Sequence, residues 1–244
     1  MDEVGRQFPC AAVFGASGGI GAALLRALAA AGVARVYAGA RTGAVPASPG
    51  IVPFHFDYDD PTSLSAAAET MAGEPPQLVV VATGALTLPD GTGPERSYRQ
   101  IDPVTMERVL LLNTVGPALV AKHMLPLFAR DRRCVFAALS ARVGSIGDNR
   151  IGGWHSYRAS KAALNMLVRN FAIELGRTHR QAVAVALHPG TVDTALSEPF
   201  QANVPDGQLT DPKTAAHHLL EVIARLTPAD SGHHLDWRGE RVPD

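Results

Sequence analysis

The 244-residue sequence predicts an α/β fold: a doubly wound parallel sheet of seven strands with helices on both faces. Three observations carry that prediction. Short apolar runs alternate with longer helical patterns along nearly the whole chain. One run, Leu78-Val79-Val80-Val81-Ala82, is apolar without polar alternation, as in a strand covered on both faces. Asp-Pro pairs and a well-placed glycine punctuate the helical patterns.

Strand-like runs fall at Cys10–Phe14, Arg35–Ala38, Ile51–Phe56, Leu78–Ala82, Cys134–Leu139, Ala182–Leu187 and, more weakly, His234–Trp237. Helical patterns fill the gaps at Ile20–Ala31, Thr62–Met71, Pro103–Phe128, Ser156–Thr178 and Pro212–Leu226. Gly32 is a stop for the first helix. Asp102-Pro103 and Asp211-Pro212 each pair a capping side chain with proline at the first helical position. The chain is long enough for one large core and shows no linker or fixed-period repeat, so 1–244 is expected to be a single domain. Ligands of such sheets bind beyond the carboxyl ends of the strands, and motifs should therefore sit just after strands.

Composition excludes several classes. The 22 basic and 23 acidic residues nearly cancel, leaving no electrostatic footprint for nucleic acid or an acidic membrane surface. No apolar run approaches the roughly 20 residues that cross a bilayer. The first ten residues, MDEVGRQFPC, lack a basic segment followed by an apolar one and are not expected to act as a secretory signal. Cys10 and Cys134 lie in apolar runs, so buried thiols and a cytoplasmic location are expected. The adjacent pairs His217-His218 and His233-His234 lack metal-site spacing, and no metal is expected.

The first strand runs into Gly15-Ala16-Ser17-Gly18-Gly19-Ile20-Gly21 and then a helix. Glycines let a pyrophosphate approach the backbone, and the helix start directs free amides and a positive dipole end at it. A packing turn would use the same residues; the position between first strand and first helix favours the dinucleotide. NAD-binding Rossmann domains usually carry an acid at the end of the second strand, for the ribose 2′-hydroxyl. This chain has Gly39-Ala40-Arg41 there, and Arg41 is expected to pair with the 2′-phosphate of NADP(H), with NAD(H) possible.

Tyr157 and Lys161 are four apart near the start of a long helix, hence on one face. A lysine beside a phenol is expected to lower its pKa and ready it as a general acid or base.

The glycine loop, the Tyr-x-x-x-Lys pair and the Pro189-Gly190 loop together resemble the short-chain dehydrogenase/reductase family over essentially the whole chain. The stretches SARVGSIGDNRIGGWHSYRASKAALNM and LTPADSGHHLDW bring it nearest the C-factor-like and sniffer-type carbonyl reductase branch. The resemblance implies an NADP-dependent oxidoreductase acting on a small carbonyl or alcohol. It assigns Gly15, Ser17, Gly19, Ile20 and Gly21 to the pyrophosphate, Asp57 to the adenine and Gly84 to the cofactor's edge. Asn113 supports the proton relay, Tyr157 is the general acid/base, and Lys161 binds the nicotinamide ribose. Val192 and Thr194 hold the carboxamide, in a loop whose Pro189 and Gly190 also bind the cofactor. It also implies a dimer or tetramer built on the helices at Pro103–Phe128 and Ser156–Thr178, a thick monomer core being the alternative.

Two departures stand out. The fourth strand ends Val81-Ala82-Thr83-Gly84 where the family usually has Asn-Asn-Ala-Gly. After the fifth strand, Ala141 occupies the usual catalytic serine position. Ser140, one residue early, is the expected substrate-orienting hydroxyl, and Ser145 is the alternative. These departures leave room for a dinucleotide-binding regulatory protein of little turnover; a lyase or dehalogenase on this fold fits the intact glycine loop poorly. The substrate depends on the Thr87–Arg99 loop and the Ser197–Thr210 segment, whose composition does not name it.

Overall fold

A computed structural model describes residues 2–41, 45, 48–205 and 207–244. Seven parallel strands form its central sheet: β1 (Cys10–Phe14), β2 (Arg35–Ala40), β3 (Ile51–His55), β4 (Leu78–Val81), β5 (Val135–Leu139), β6 (Val183–His188) and β7 (His234–Asp236). Their spatial order is β3-β2-β1-β4-β5-β6-β7. The winding reverses between β1 and β4, which opens a crevice at their carboxyl ends.

The helices are α1 (Asp2–Gln7), α2 (Gly19–Ala30), α3 (Pro61–Met71), α4 (Pro103–Leu110), α5 (Gly116–Met124), α6 (His155–Gly176) and α7 (Pro212–Arg225). Strand β4 shows why its sequence is uniformly apolar. Leu78 and Val80 pack with Leu24, Leu28, Leu219 and Ile223 of α2 and α7, whereas Val79 and Val81 pack with Leu64, Met124, Leu164 and Val168 of α3, α5 and α6. Each fully buried side chain of this size contributes about 1.5–3 kcal/mol. The aspartates before prolines are caps: Asp60 accepts from Thr62 N, Asp102 from Thr105 N, and Asp211 from Lys213 N and Thr214 N.

The segment read as one helix over Pro103–Phe128 is interrupted. A turn of π-helix, Leu111–Val115, joins α4 to α5. An extra residue there re-aims Asn113 into the interior, where it is fully buried. Contrary to the sequence expectation, the span Pro103–Leu127 reaches a length and mean hydropathy, 1.3, that could cross a bilayer. Here it packs on the sheet through Val120, Ala121 and Met124, all fully buried. Two further elements had no sequence signal: α1, whose Val4 joins the α2–α7 core, and a short parallel pair, Thr191–Val192 with Leu209–Thr210.

Candidate active site

The glycine loop lies at the crevice. Gly15 has φ +91°, a conformation L side chains rarely adopt, and its carbonyl accepts from Gly18 N at 3.0 Å. A side chain at Gly21 would collide with that same carbonyl. No side chain caps the start of α2 and no acid stands in its first turn, so its leading amides remain open to an anion. Gly15, Ser17, Gly84, Arg41 and Asp57 line one cleft of about 390 Å³. Ile20 instead packs against the α2–α7 core.

Arg41 ends β2 with an exposed side chain at the cleft edge. Among the described residues no carboxylate lies at ion-pair distance from it. Arg108 also lines the cleft, gripping Asp59 with two hydrogen bonds of 2.5 and 2.8 Å. Asp57 caps its own turn, accepting from Asp59 N at 3.0 Å, while it borders the cleft.

The next cluster forms where α6, the π turn and the end of β4 meet. Asn113 Nδ2 donates to Ala85 O at 2.8 Å and to Ser160 Oγ at 3.1 Å, and its Oδ1 accepts from Ala85 N at 2.8 Å. Lys161 Nζ donates to Leu139 O at 2.9 Å. A side chain at Gly84 would lie 3.2 Å from Asn113 Oδ1 and 3.4 Å from Lys161 Nζ, so these three residues share one pocket floor. Tyr157 is buried one turn before Lys161, whose ammonium lies 5.8 Å from the ring centroid.

The phenol does not show the lowered pKa expected from sequence. Burial raises Tyr157 to about 12 and lowers Lys161 to about 8. Desolvation penalises both charged forms, and a lysine bonded to a carbonyl 5.8 Å from the ring centroid does not offset it.

The two serines differ. Ser140 Oγ donates to Asn165 Oδ1 at 2.7 Å, and Asn165 Nδ2 meets His234 Nδ1 at 3.3 Å. In that arrangement His234 carries its proton on Nε2, which is buried without a partner. Turning the amide over reverses both bonds. His234 then donates to Asn165, Asn165 donates to Ser140, and only a lone pair is orphaned. That costs less than an orphaned N–H and frees the Ser140 proton. Ser145 is buried too, its oxygen accepting from Asp148 N at 3.0 Å.

The loop after β6 closes the crevice. Gly190, beside Pro189, has φ +81° and Trp237 behind it; Val192 is buried. A side chain at Gly19 would come within 2.5 Å of Thr194 Cγ2, so the glycine loop and this loop meet. Of the predicted residues, Gly15, Ser17, Arg41, Asp57 and Gly84 line the cleft; Tyr157 borders a separate small pocket with Leu86, Glu95 and Val109.

A family model described as short chain dehydrogenase matches residues 9–205. The chain belongs to the short chain dehydrogenase family. It is accordingly an NAD(P)-dependent oxidoreductase by class. It is similar to the C-signal of Myxococcus xanthus, 36% identical over 143 residues, covering 59% of this chain and 81% of that protein. It is also similar to the 1-hydroxy-2-glutathionyl-2-methyl-3-butene dehydrogenase of Rhodococcus sp. (strain AD45), 37% identical over 133 residues. That match spans about half of each protein, 54% of this chain and 55% of the relative. Among solved structures, the NADPH-bound carbonyl reductase from chicken fatty liver aligns with a TM-score of 0.84 and 25% identity, covering 98% of this chain and 95% of that one.

This dehydrogenase also has features its sequence did not announce. Thr83, at the position of the family's alanine after β4, hydrogen-bonds the buried Tyr58 hydroxyl at 2.7 Å and braces the strand end. Glu95 is 5% exposed and accepts from Ser156 N at 3.1 Å and from Ser156 Oγ at the start of α6. These partners are 25 and 61 residues apart in sequence, beyond any local pattern.

Proposed function

We propose that the chain reduces a carbonyl compound with NADPH, Tyr157 serving as proton donor. The observation that carries this is the shared floor of Gly84, Asn113 and Lys161, one turn along α6 from Tyr157, beside an uncapped helix start. The open α2 amides, the glycine cradle and the cleft fit a dinucleotide pyrophosphate. Gly15, Ser17, Gly19, Ile20 and Gly21 would shape that cradle, Arg41 would grip the 2′-phosphate, and Asp57 would meet the adenine. Val192 and Thr194 would hold the carboxamide, with Pro189 and Gly190 shaping their loop against the cofactor. The NADPH in the chicken carbonyl reductase supports this choice over NADH.

Bound dihydronicotinamide supplies the hydride. Tyr157, its phenol raised to about 12, keeps its proton at neutral pH until negative charge develops on the carbonyl oxygen. Lys161 places a positive charge near that event and anchors it to β5. Asn113 fixes Ala85 and Ser160, and so the geometry between β4 and α6. With the Asn165 amide turned over, Ser140 would accept from Asn165 and donate its proton to the carbonyl oxygen. NADPH oxidation at 340 nm over a panel of aldehydes and ketones tests the proposal. Turnover that Tyr157→Phe removes supports it; NADPH binding with no turnover of any carbonyl overturns it.

A dinucleotide-binding signalling protein is the second reading, favoured by the relative named C-signal. The same panel separates the two. Apolar side chains left in solvent, Val104 on α4, Val115 in the π turn, and Met166 and Ile173 seven residues apart on α6, support a homodimer or homotetramer. Light scattering tests it. Cys10 and Cys134 are free, buried thiols, which fits a reducing cytoplasm.

A further inference from the structure

We propose that Trp154 and Phe200 form the wall of the substrate site beside Tyr157, and that the substrate is a planar, apolar carbonyl compound, an aryl aldehyde or aryl ketone. The proposal rests on the carbonyl-reducing function above and adds the substrate class and the residues that select it.

Trp154 is the only non-glycine with positive φ among the described residues, at 52°. It follows Gly152 and Gly153, at 70° and 66°, so three consecutive left-handed residues lead into the helix that carries Tyr157. A bulky aromatic adopts this conformation only where its surroundings enforce it, and such places cluster at functional sites. Glu95 supplies the enforcement. Its carbonyl accepts from Trp154 N at 2.5 Å, and its carboxylate holds Ser156 N and Oγ at the second residue of α6. The carboxylate thus satisfies a leading amide of the helix and sits at the positive end of its dipole. Glu95 belongs to the Thr87–Arg99 loop, so that loop sets where the indole stands.

The indole in turn joins three segments. Its ring lies edge-on to Tyr157 at 6.2 Å between centroids and to Phe200 at 5.0 Å. Phe200 comes from the Ser197–Thr210 segment, which is described except for residue 206. Both substrate-facing segments expected from sequence therefore converge on one aromatic pair next to the proposed proton donor. Trp154 and Phe200 are only half-buried, and the indole N–H has no protein partner among the described residues. A tryptophan serving only as packing would usually bury its ring and pair that N–H. Ile146 and Ile151, in the loop that leads to Trp154, are also exposed, at 78% and 89%. The Glu95 carboxylate beside the indole is engaged by Ser156, and the Arg158 guanidinium by the Gly153 and Val143 carbonyls, so the two rings present carbon. A flat ring stacks well on such a surface, while a short polar carbonyl gains little from it.

The test compares wild type, Trp154→Ala and Phe200→Ala on matched aryl and short aliphatic ketones with NADPH. Wild type should prefer the aryl compound. Each variant should raise its KM about tenfold with kcat little changed, as loss of one aromatic contact implies. KM for the aliphatic ketone and Kd for NADPH should stay within about twofold. An unchanged aryl-to-aliphatic ratio in the variants would overturn the proposal and leave Trp154 a structural staple. A second readout does not need turnover. With Trp237→Phe, emission reports Trp154 alone; acetophenone added with NADP should quench it saturably. No quenching overturns the wall even in an active enzyme. Quenching without turnover keeps the wall and instead contradicts the carbonyl-reducing function.

Discussion

Lys161 Nζ sits 2.9 Å from the Leu139 carbonyl and 5.8 Å from the centroid of the Tyr157 ring, tying the end of β5 to the helix that presents the phenol. Both side chains are buried, and burial moves them in opposite senses: Tyr157 up to about 12, Lys161 down to about 8.

The pH dependence follows from those two values. Tyr157 keeps its proton far into the alkaline range, whereas Lys161 loses its charge as pH rises through about 8. Carbonyl reduction should therefore decline above pH 8, the limb belonging to the lysine and not to the phenol. Lys161→Arg should weaken turnover, because a planar fork cannot replace the ammonium at Leu139, and should abolish that limb, because guanidinium stays charged. Profiles of kcat/KM from pH 6 to 10 decide this; an alkaline limb that survives in the arginine variant rejects the assignment.

Cofactor choice should depend on Arg41. A charge-assisted pair with the 2′-phosphate contributes about 1.5–3 kcal/mol, or roughly 10- to 150-fold in favour of NADPH. Arg41→Asp removes the attraction and adds repulsion, so it should reverse the preference. Salt should weaken NADPH binding more than NADH binding, since the side chain is exposed. Dissociation constants for both cofactors at two ionic strengths measure this. Equal affinities in the wild type would show Arg41 to be a solvated side chain.

The serines are separable by mutation. Ser140→Ala should cost about 2–4 kcal/mol of transition-state stabilisation, the range for losing a donor to a developing oxyanion. Ser145→Ala should be near neutral in kcat. Asn165→Leu should resemble Ser140→Ala in kcat while leaving NADPH affinity unchanged, because Asn165 acts through the serine. If Ser145 is the damaging site, the carbonyl lies farther along the loop than the end of β5.

Stability in acid should reflect two desolvated imidazoles, the buried His234 and the partly buried His188. Desolvation lowers both His188 and His234 from 6.5 to about 4, with mutual repulsion adding to it at His234. Between pH 6.5 and 4 the unfolded chain binds protons that the folded chain does not, so stability falls as pH falls through that window. His234→Gln should flatten the fall. Thermal midpoints at pH 7, 5.5 and 4.5 check it; a slope identical to wild type would remove His234 from the account.

The sheet was legible because β1, β4 and β5 are buried on both faces, and only apolar runs satisfy that. The glycine loop and the Tyr157–Lys161 pair were legible because their geometry is local. The π turn at Leu111–Val115 was not, since inserting a residue into an apolar helix leaves its composition unchanged. The grip of Glu95 on Ser156 spans 61 residues, and the brace of Tyr58 on Thr83 spans 25, beyond the reach of any local pattern. The phenol pKa was misjudged because spacing reveals the neighbouring charge but not the desolvation that outweighs it.

The central claim is that Tyr157 donates the proton in an NADPH-dependent carbonyl reduction. General acid catalysis contributes about 10²–10⁴-fold. The most direct measurement is kcat and NADPH Kd for wild type and Tyr157→Phe on one carbonyl substrate found in the panel. The account predicts a kcat at least about 100-fold lower with Kd nearly unchanged. A phenylalanine variant that turns over at the wild-type rate would contradict it.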